Sequence, residues 1–248
     1  DLDLVFVYDS RRAAAMSDGA RPLEGSRWYQ RLAQRVMNWL TVLTRAGRLY
    51  EVDTRLRPDG SKGLLVSSFD AFAAYQRGRA WTWEHQALLR ARPVAGDPAL
   101  HAELGALRRE ILGVARERAA VLAEVSSMRR RWRAERDRSD ELRFDLKQGA
   151  GGLLDIEFAL QGLVLAAAVA HPALLEVTSN AGLIDACRET GLLDAAQADT
   201  FTAVHAELLQ RALTCTLDLR SRIDPREQSL ALLAAAVQDV TNALGFEF

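Results

Sequence analysis

The sequence lacks the features that would assign it to a membrane, to the extracellular space or to a nucleic acid. Its 248 residues include only two cysteines, Cys187 and Cys215, which lie far apart and form neither a disulfide framework nor a metal motif. The longest apolar run, residues 159–170, contains Gln161 and is too short to span a bilayer. The formal net charge is −1, so a nucleic acid would need a local basic patch to bind. We therefore expect a globular, cytoplasmic protein with no membrane span and no nucleic-acid partner.

A recognisable signal peptide is also absent, and the first residue is not methionine. Asp1 falls inside a predicted strand that has no turn before it. We expect this domain to begin upstream of Asp1, so that the chain is truncated at its N-terminus.

Carboxylates occur on two predicted strands near the start of the chain. The first strand, residues 1–9, carries Asp1 and Asp3, which share one face because strand side chains alternate. Asp53 lies on a second predicted strand, residues 50–58. Such carboxylates suit Mg²⁺, and two of them on one face of a buried strand are costly unless they bind something. The spacing predicts a site for one or two Mg²⁺ ions that hold nucleotide phosphates, and the alternative is that each aspartate caps a loop.

Two arginines follow Asp53 on the same face of the second strand. Arg55 and Arg57 alternate with apolar or β-branched residues, as expected for a strand with one polar face. Their guanidinium groups could bind nucleotide phosphates. Ion pairs with Glu51 or with the aspartates are an equally good interpretation, and the sequence leaves both open.

The segment 81–86 (WTWEHQ) has an unusual composition. On a helix, Trp81 and His85 are one turn apart. His85 could act as an acid or base or contact a nucleotide. The default interpretation is a structural histidine, with Trp81 and Trp83 as core anchors.

A glycine-rich segment, residues 147–152, precedes Asp155 and Glu157. It resembles a phosphate loop at a helix start, but it lacks both the Walker ending and the Gly-x-Gly-x-x-Gly pattern. A tight turn followed by an acidic first helical turn is one interpretation. A contribution to the rim of an active site is the other, and both stay open.

The pattern along the chain predicts an α+β protein in two domains. Residues 1–97 mix strands and helices, with Ser68 as the predicted N-cap of a helix and a last strand at 90–97. Residues 98–248 show long helical patterns and predict an α-helical bundle. The arginine-rich stretch 128–138 is expected to be a solvated helix face, and a phosphate-binding or partner-docking surface is the alternative.

Four segments in this order make the sequence recognisable: 1–6 (DLDLVF), 50–58 (YEVDTRLRP), 81–88 (WTWEHQAL) and 155–158 (DIEF). Together they resemble the glutamine synthetase adenylyltransferases, and the resemblance covers nearly the whole chain. These bacterial enzymes carry two homologous nucleotidyltransferase halves. The C-terminal half attaches AMP from ATP to a tyrosine of glutamine synthetase, and the N-terminal half removes it by phosphorolysis, which releases ADP.

The resemblance implies the adenylylating half. In the adenylylating half, the segment around the strand aspartate reads Glu-Val-Asp-Thr-Arg and a double tryptophan follows later, as found here. In the removing half, the same segment tends to read Arg-Val-Asp-Met-Arg and the double tryptophan is absent. The implied fold is a nucleotidyltransferase-type mixed β-sheet with helices, followed by the helical bundle. The implied partners are glutamine synthetase, the PII signal protein and the other half of the parent chain. The alternatives are the removing half and a non-catalytic docking fragment.

The resemblance also implies roles for individual residues. Asp1, Asp3 and Asp53 would be the catalytic carboxylates that hold Mg²⁺, with Asp53 as the candidate general base. Arg55 and Arg57 would contact ATP. The family also has a Gly-Ser pair on a loop shortly before the first aspartate, which helps to hold the triphosphate. That pair is absent from this sequence, so the chain as it stands is expected to bind ATP poorly.

Overall fold

The computed structural model describes residues 2–45, 47 and 50–248, so that Asp1 lies outside the described residues. The chain divides into two compact units. The first extends to Ala87 and includes Arg92–Leu107, and the second comprises Leu88–Ala91 and Arg108–Phe248. The domain boundary after residue 97 stays a prediction.

The first unit combines short strands with helices, which agrees with an α+β arrangement. Strand β1 pairs in parallel with β3, and β2 pairs in parallel with β4. One extended stretch near the start of the chain therefore contacts two later segments. The finer prediction of a mixed nucleotidyltransferase sheet stays a prediction, because the described strands pair only two by two. In chain order the elements are β1 (Leu2–Asp3), β2 (Phe6–Tyr8), α1 (Gly25–Thr41), β3 (Val52–Asp53), β4 (Val66–Ser68), α2 (Phe69–Gly78) and α3 (Thr82–Arg90).

Helix α2 begins as the sequence predicts. The Ser68 hydroxyl accepts a hydrogen bond from the Ala71 backbone N–H, which satisfies one of the free donors at a helix start. Phe72 and Tyr75 are buried on the inner face of this helix.

The predicted strand at 90–97 is wrong. Helix α3 continues to Arg90, and residues 91–97 have no regular structure and are exposed. The segment contains Pro93, which cannot donate to a strand ladder, and Gly96 with a φ of 124°. It also has too few large apolar residues to bury one face.

The second unit is a helical bundle, in agreement with the helical patterns of the sequence, and it is built around one buried helix. Helix α6 is buried on most of its surface, and Ile156, Leu160 and Leu163 are fully buried against α5, α7, α8 and α9. A small antiparallel pair, β5 with β6, was not predicted from the sequence. Helix α4 (Pro98–Leu112) belongs mostly to the first unit and ends in the second. The elements that lie wholly in the second unit are α5 (Arg118–Arg136), β5 (Arg143–Asp145), α6 (Leu153–Ala167), α7 (Asn180–Glu189), α8 (Ala195–Leu217), β6 (Ile223–Pro225) and α9 (Gln228–Ala243).

Within the described part of the chain, no helix has the length and apolar character needed to cross a membrane.

Candidate active site

Two of the three predicted metal-binding aspartates lie next to each other. Asp3 on β1 is in register with Asp53 on β3. Neighbouring strands are about 4.8 Å apart, and residues in register point to the same face, so both carboxylates lie on one side of the pair. Asp1 falls outside the described residues. Among the residues that are described, no group of three or more histidine, cysteine, aspartate or glutamate side chains could hold a metal ion.

Arg55 binds Asp53 directly. The backbone N–H of Arg55 donates to Asp53 Oδ1 at 2.8 Å, and Nε donates to Oδ1 at 3.0 Å and to Oδ2 at 2.8 Å. The Nη2 group also donates to Oδ2. These bonds lower the pKa of Asp53 despite the opposing effect of burial. The ion pair with an aspartate is therefore formed, and binding of Arg55 to a phosphate stays a prediction.

Arg57 holds the turn that follows β3. Its Nη1 donates to the Thr54 carbonyl at 2.7 Å and to the Thr54 hydroxyl at 2.8 Å. Nε donates to the Gly63 carbonyl at 3.2 Å, and Nη2 donates to the Ser61 carbonyl at 3.3 Å. All three nitrogens thus bind oxygens of the chain near the turn. Arg57 therefore stabilises this turn. Its contact with ATP stays a prediction.

The segment 81–86 is organised around Glu84, which sequence reasoning missed. Glu84 is buried, and its carboxylate accepts hydrogen bonds from the Tyr75 hydroxyl at 2.8 Å and from the Trp81 backbone N–H at 2.9 Å. His85 Nε2 lies 3.2 Å from the Gln76 carbonyl, as expected for a structural histidine. The prediction for Trp81 is wrong, because its side chain is 69% exposed. The Trp81 backbone takes part in the hydrogen bonds at the start of α3, and its ring is exposed to solvent.

In the second unit, the glycine-rich segment is bound by a buried carboxylate of its own chain. Asp155 Oδ2 accepts the Gly151 N–H at 2.7 Å, and Asp155 Oδ1 accepts Arg129 Nε at 2.6 Å. Arg133 Nη2 donates to both carboxylate oxygens, at 2.8 and 2.6 Å. Asp155 therefore occupies the N-terminal end of α6, where a phosphate would bind in a phosphate loop. This arrangement favours the tight-turn interpretation.

The solvated-face prediction for residues 128–138 is wrong for Arg129. Its side chain is 0% exposed, as is that of Asp155. A buried guanidinium is tolerated because the carboxylate lies beside it and because Nη2 donates to the Gln148 carbonyl at 2.6 Å. The side chain that forms the ion pair is 26 residues away in the sequence, which is why local pattern could not reveal it.

The glycines of this segment are explained by close backbone approach. Gly151 has a φ of +80°, and a Cβ at this position would lie 2.1 Å from the Ala234 carbonyl oxygen of α9. A Cβ on Gly149 would lie 2.7 Å from the Asp145 carbonyl oxygen. Neither position accommodates a side chain, so both glycines are required for packing.

Glu157 belongs to a second polar cluster of the bundle. Its Oε1 accepts Arg90 Nη1 at 2.8 Å and Gln161 Nε2 at 3.0 Å. The charges of Glu157 and Arg90 also act on His205 of α8, and burial lowers the pKa of this histidine. The charge of Glu157 raises that pKa and the charge of Arg90 lowers it, without overcoming the effect of burial.

Two family models match successive parts of the chain. The model described as glutamate-ammonia ligase adenylyltransferase matches residues 1–106. The model described as GlnD PII-uridylyltransferase matches residues 120–247, which include α6 to α9 of the bundle. The match thus changes from one family model to the other along the chain.

Several curated relatives carry the name bifunctional glutamine synthetase adenylyltransferase/adenylyl-removing enzyme. The one from Stenotrophomonas maltophilia (strain K279a) is 51% identical over 248 residues, which are 100% of this chain and 27% of that protein. The one from Xanthomonas campestris pv. campestris (strain B100) is 52% identical over 242 residues, 96% of this chain and 26% of that protein. The one from Thioalkalivibrio sulfidiphilus (strain HL-EbGR7) is 46% identical over 217 residues, 88% of this chain and 22% of that protein.

The chain therefore spans about a quarter of the length of these relatives. The similarity to the Stenotrophomonas maltophilia relative extends over the whole of this chain. It confirms the resemblance carried by the sequence motifs, and the chain belongs to the glutamate-ammonia ligase adenylyltransferase family.

Proposed function

We propose that this chain is part of the adenylylating half of such an enzyme and transfers AMP from ATP to a tyrosine hydroxyl of glutamine synthetase, with release of pyrophosphate. The observation that carries the proposal is the register of Asp3 with Asp53 on adjacent parallel strands. The sequence at 51–55 and the double tryptophan at 81 and 83 support the adenylylating half over the removing half.

The residues present fit a hard divalent cation. Asp3 and Asp53 place two carboxylates on one face, and Asp1, two positions before Asp3, is the proposed third ligand. Mg²⁺ bound there would neutralise charge on the phosphates of ATP. Before a metal binds, the hydrogen bonds from Arg55 lower the pKa of Asp53, so this carboxylate is already in the ionised form that a metal ligand requires.

Asp53 is also the proposed general base for the tyrosine hydroxyl. A carboxylate with a lowered pKa is a weak proton acceptor, so this role requires that Arg55 release it. Once released, the Arg55 guanidinium can bind the phosphates, which is the role that the family resemblance implies.

The proposed partners follow from the names of the relatives and from the family. Glutamine synthetase is the proposed substrate protein, and ATP and Mg²⁺ are the proposed cosubstrate and cofactor. The PII signal protein and the other nucleotidyltransferase half are proposed to act on this chain within a cytoplasmic enzyme. The match of the bundle to the PII-uridylyltransferase model supports a link to PII signalling.

The test uses the chain extended upstream to include the Gly-Ser loop of the family. It is incubated with Mg²⁺, ATP labelled at the α-phosphate and unmodified glutamine synthetase. We expect label on the synthetase, and we expect Asp53→Asn to abolish it. Asp9→Asn is the matched control, because Asp9 is also bound by the arginine two residues later and lies outside the proposed site.

Other outcomes would replace the proposal. Full labelling with Asp53→Asn would rule out the carboxylate site. If no label appears, adenylylated synthetase and phosphate are added instead. Release of ADP would then identify the removing half, and no reaction in either direction would identify a docking fragment.

A further inference from the structure

We propose that Arg55 takes the place of the divalent cation on Asp53 when the metal is absent, and that it must withdraw before the metal binds. The inference rests on the proposed function, because it assumes that Asp53 is a metal ligand. In this proposal, Arg55 competes with the metal for the Asp53 carboxylate before it contacts any phosphate.

The first argument is the occupancy of the carboxylate. Three donors of Arg55 bind Asp53: the backbone N–H, Nε and Nη2. Together they engage both oxygens of the carboxylate. Mg²⁺ requires near-ideal octahedral geometry at about 2.0–2.1 Å from its oxygen ligands. A guanidinium group bound across both oxygens stands in the way of an ion at that distance.

The second argument is charge. Asp3 is in register with Asp53, so the two carboxylates are neighbours and the charge of Asp3 also attracts the Arg55 guanidinium. The positive guanidinium thus reduces the repulsion between two neighbouring carboxylates. A divalent cation between them would do so more strongly and would repel the guanidinium.

The third argument is freedom to move. The Arg55 side chain is 68% exposed, so it can turn into solvent without losing buried contacts. The backbone N–H of Arg55 remains on Asp53 Oδ1 during this movement, since it belongs to the chain and not to the side chain. The carboxylate therefore keeps its orientation while its side-chain partner is exchanged for a metal ion.

The chain offers a matched control for this arrangement. Arg11 binds Asp9 with the same spacing: its backbone N–H donates to Oδ1 at 2.9 Å and Nε donates to Oδ1 at 2.8 Å. The Arg11 side chain is 70% exposed, close to the value for Arg55. Arg11→Gln therefore removes the same kind of ion pair from the same unit, together with a longer bond from Arg11 Nη2 to Glu103 Oε1 at 3.2 Å, and it leaves Asp3 and Asp53 unchanged.

The test measures the dissociation constant of Mn²⁺ for the 248-residue chain in the absence of nucleotide. Bound Mn²⁺ is obtained from the decrease in the electron paramagnetic resonance signal of free Mn²⁺. We expect Arg55→Gln to tighten binding by about threefold to fivefold, the upper part of the range that an exposed ion pair can contribute. We expect Arg11→Gln to bind Mn²⁺ like the unchanged chain, and Asp53→Asn to lose the site.

The outcomes separate this inference from the proposed function. Loss of binding in Asp53→Asn together with tighter binding in Arg55→Gln supports the competition. Loss in Asp53→Asn with unchanged or weaker binding in Arg55→Gln overturns the competition and leaves the metal site in place. Unchanged binding in Asp53→Asn overturns both, because Asp53 would then not be a ligand.

Discussion

Replacement of Asp155 by asparagine tests the energetic role of the buried network in the bundle. The variant keeps the shape of the side chain and removes its charge. Arg129 then remains fully buried without an anion beside it, whereas Arg133 is 19% exposed and can regain water. Breaking a buried ion pair in this way typically costs about 3–5 kcal/mol. We expect about 3 kcal/mol, at the lower end, because an asparagine oxygen can still accept the Gly151 N–H.

The assay is urea unfolding followed by far-UV circular dichroism, which reports mainly on the helical bundle. Asp199→Asn is the matched control, because Asp199 Oδ1 lies 2.8 Å from Arg188 Nη1 on the surface of the same unit. The Asp199 and Arg188 side chains are 69% and 50% exposed, so this variant should lose less than about 1 kcal/mol. If Asp155→Asn lost no more than Asp199→Asn, the account of a buried, charge-compensated network would be wrong.

Two further predictions concern the same unit. Gly151→Ala should lower the free energy of unfolding by more than about 2 kcal/mol, because a strained φ of +80° is combined with a clash against the Ala234 carbonyl; Gly191→Ala, with a φ of +74° and open space, should lose only about 1 kcal/mol. Equal losses in urea unfolding would remove the steric explanation. Burial lowers the pKa of His205 below its ordinary value of 6.5, so the unfolded state binds the proton more readily. The stability linked to His205 should therefore be complete above pH 6.5 and fall as the pH drops through the folded-state pKa. The measurement is the urea midpoint of unfolding between about pH 8 and pH 5. His205→Gln should reduce the fall of this midpoint at low pH. An unchanged profile would show that other groups cause the dependence.

The parts of the structure that the sequence predicts depend on short-range pattern. Ser68 could be identified as an N-cap because capping depends on neighbouring residues. The pairing of Asp3 with Asp53 could be expected from period-two alternation together with the family motifs. The bundle could be expected from helical periodicity after Pro98.

The parts that the sequence could not predict depend on distant partners. Arg129 lies in a stretch that reads as a solvated helix face, and only Asp155, 26 residues later, makes its burial possible. Glu84 reads as a surface charge until Tyr75 brings its hydroxyl to 2.8 Å. Trp81 reads as a core residue from its composition alone, yet its ring is exposed. For Arg129 and Glu84, a partner in space decided the outcome.

The short span of the Asp155 network also has a consequence for the order of folding. Closing a loop costs more entropy as the loop lengthens, and Arg129 and Asp155 close only 26 residues, whereas Gly151 meets Ala234 across a much longer stretch. We therefore expect the α5–α6 hairpin to form early and α9 to dock later. Val125→Ala in α5 should then mainly slow refolding, and Val237→Ala in α9 should mainly speed unfolding. The arginine and the aspartate would lose their water at the first of these steps, so that the bundle begins to assemble around a charged pair before its apolar core is complete.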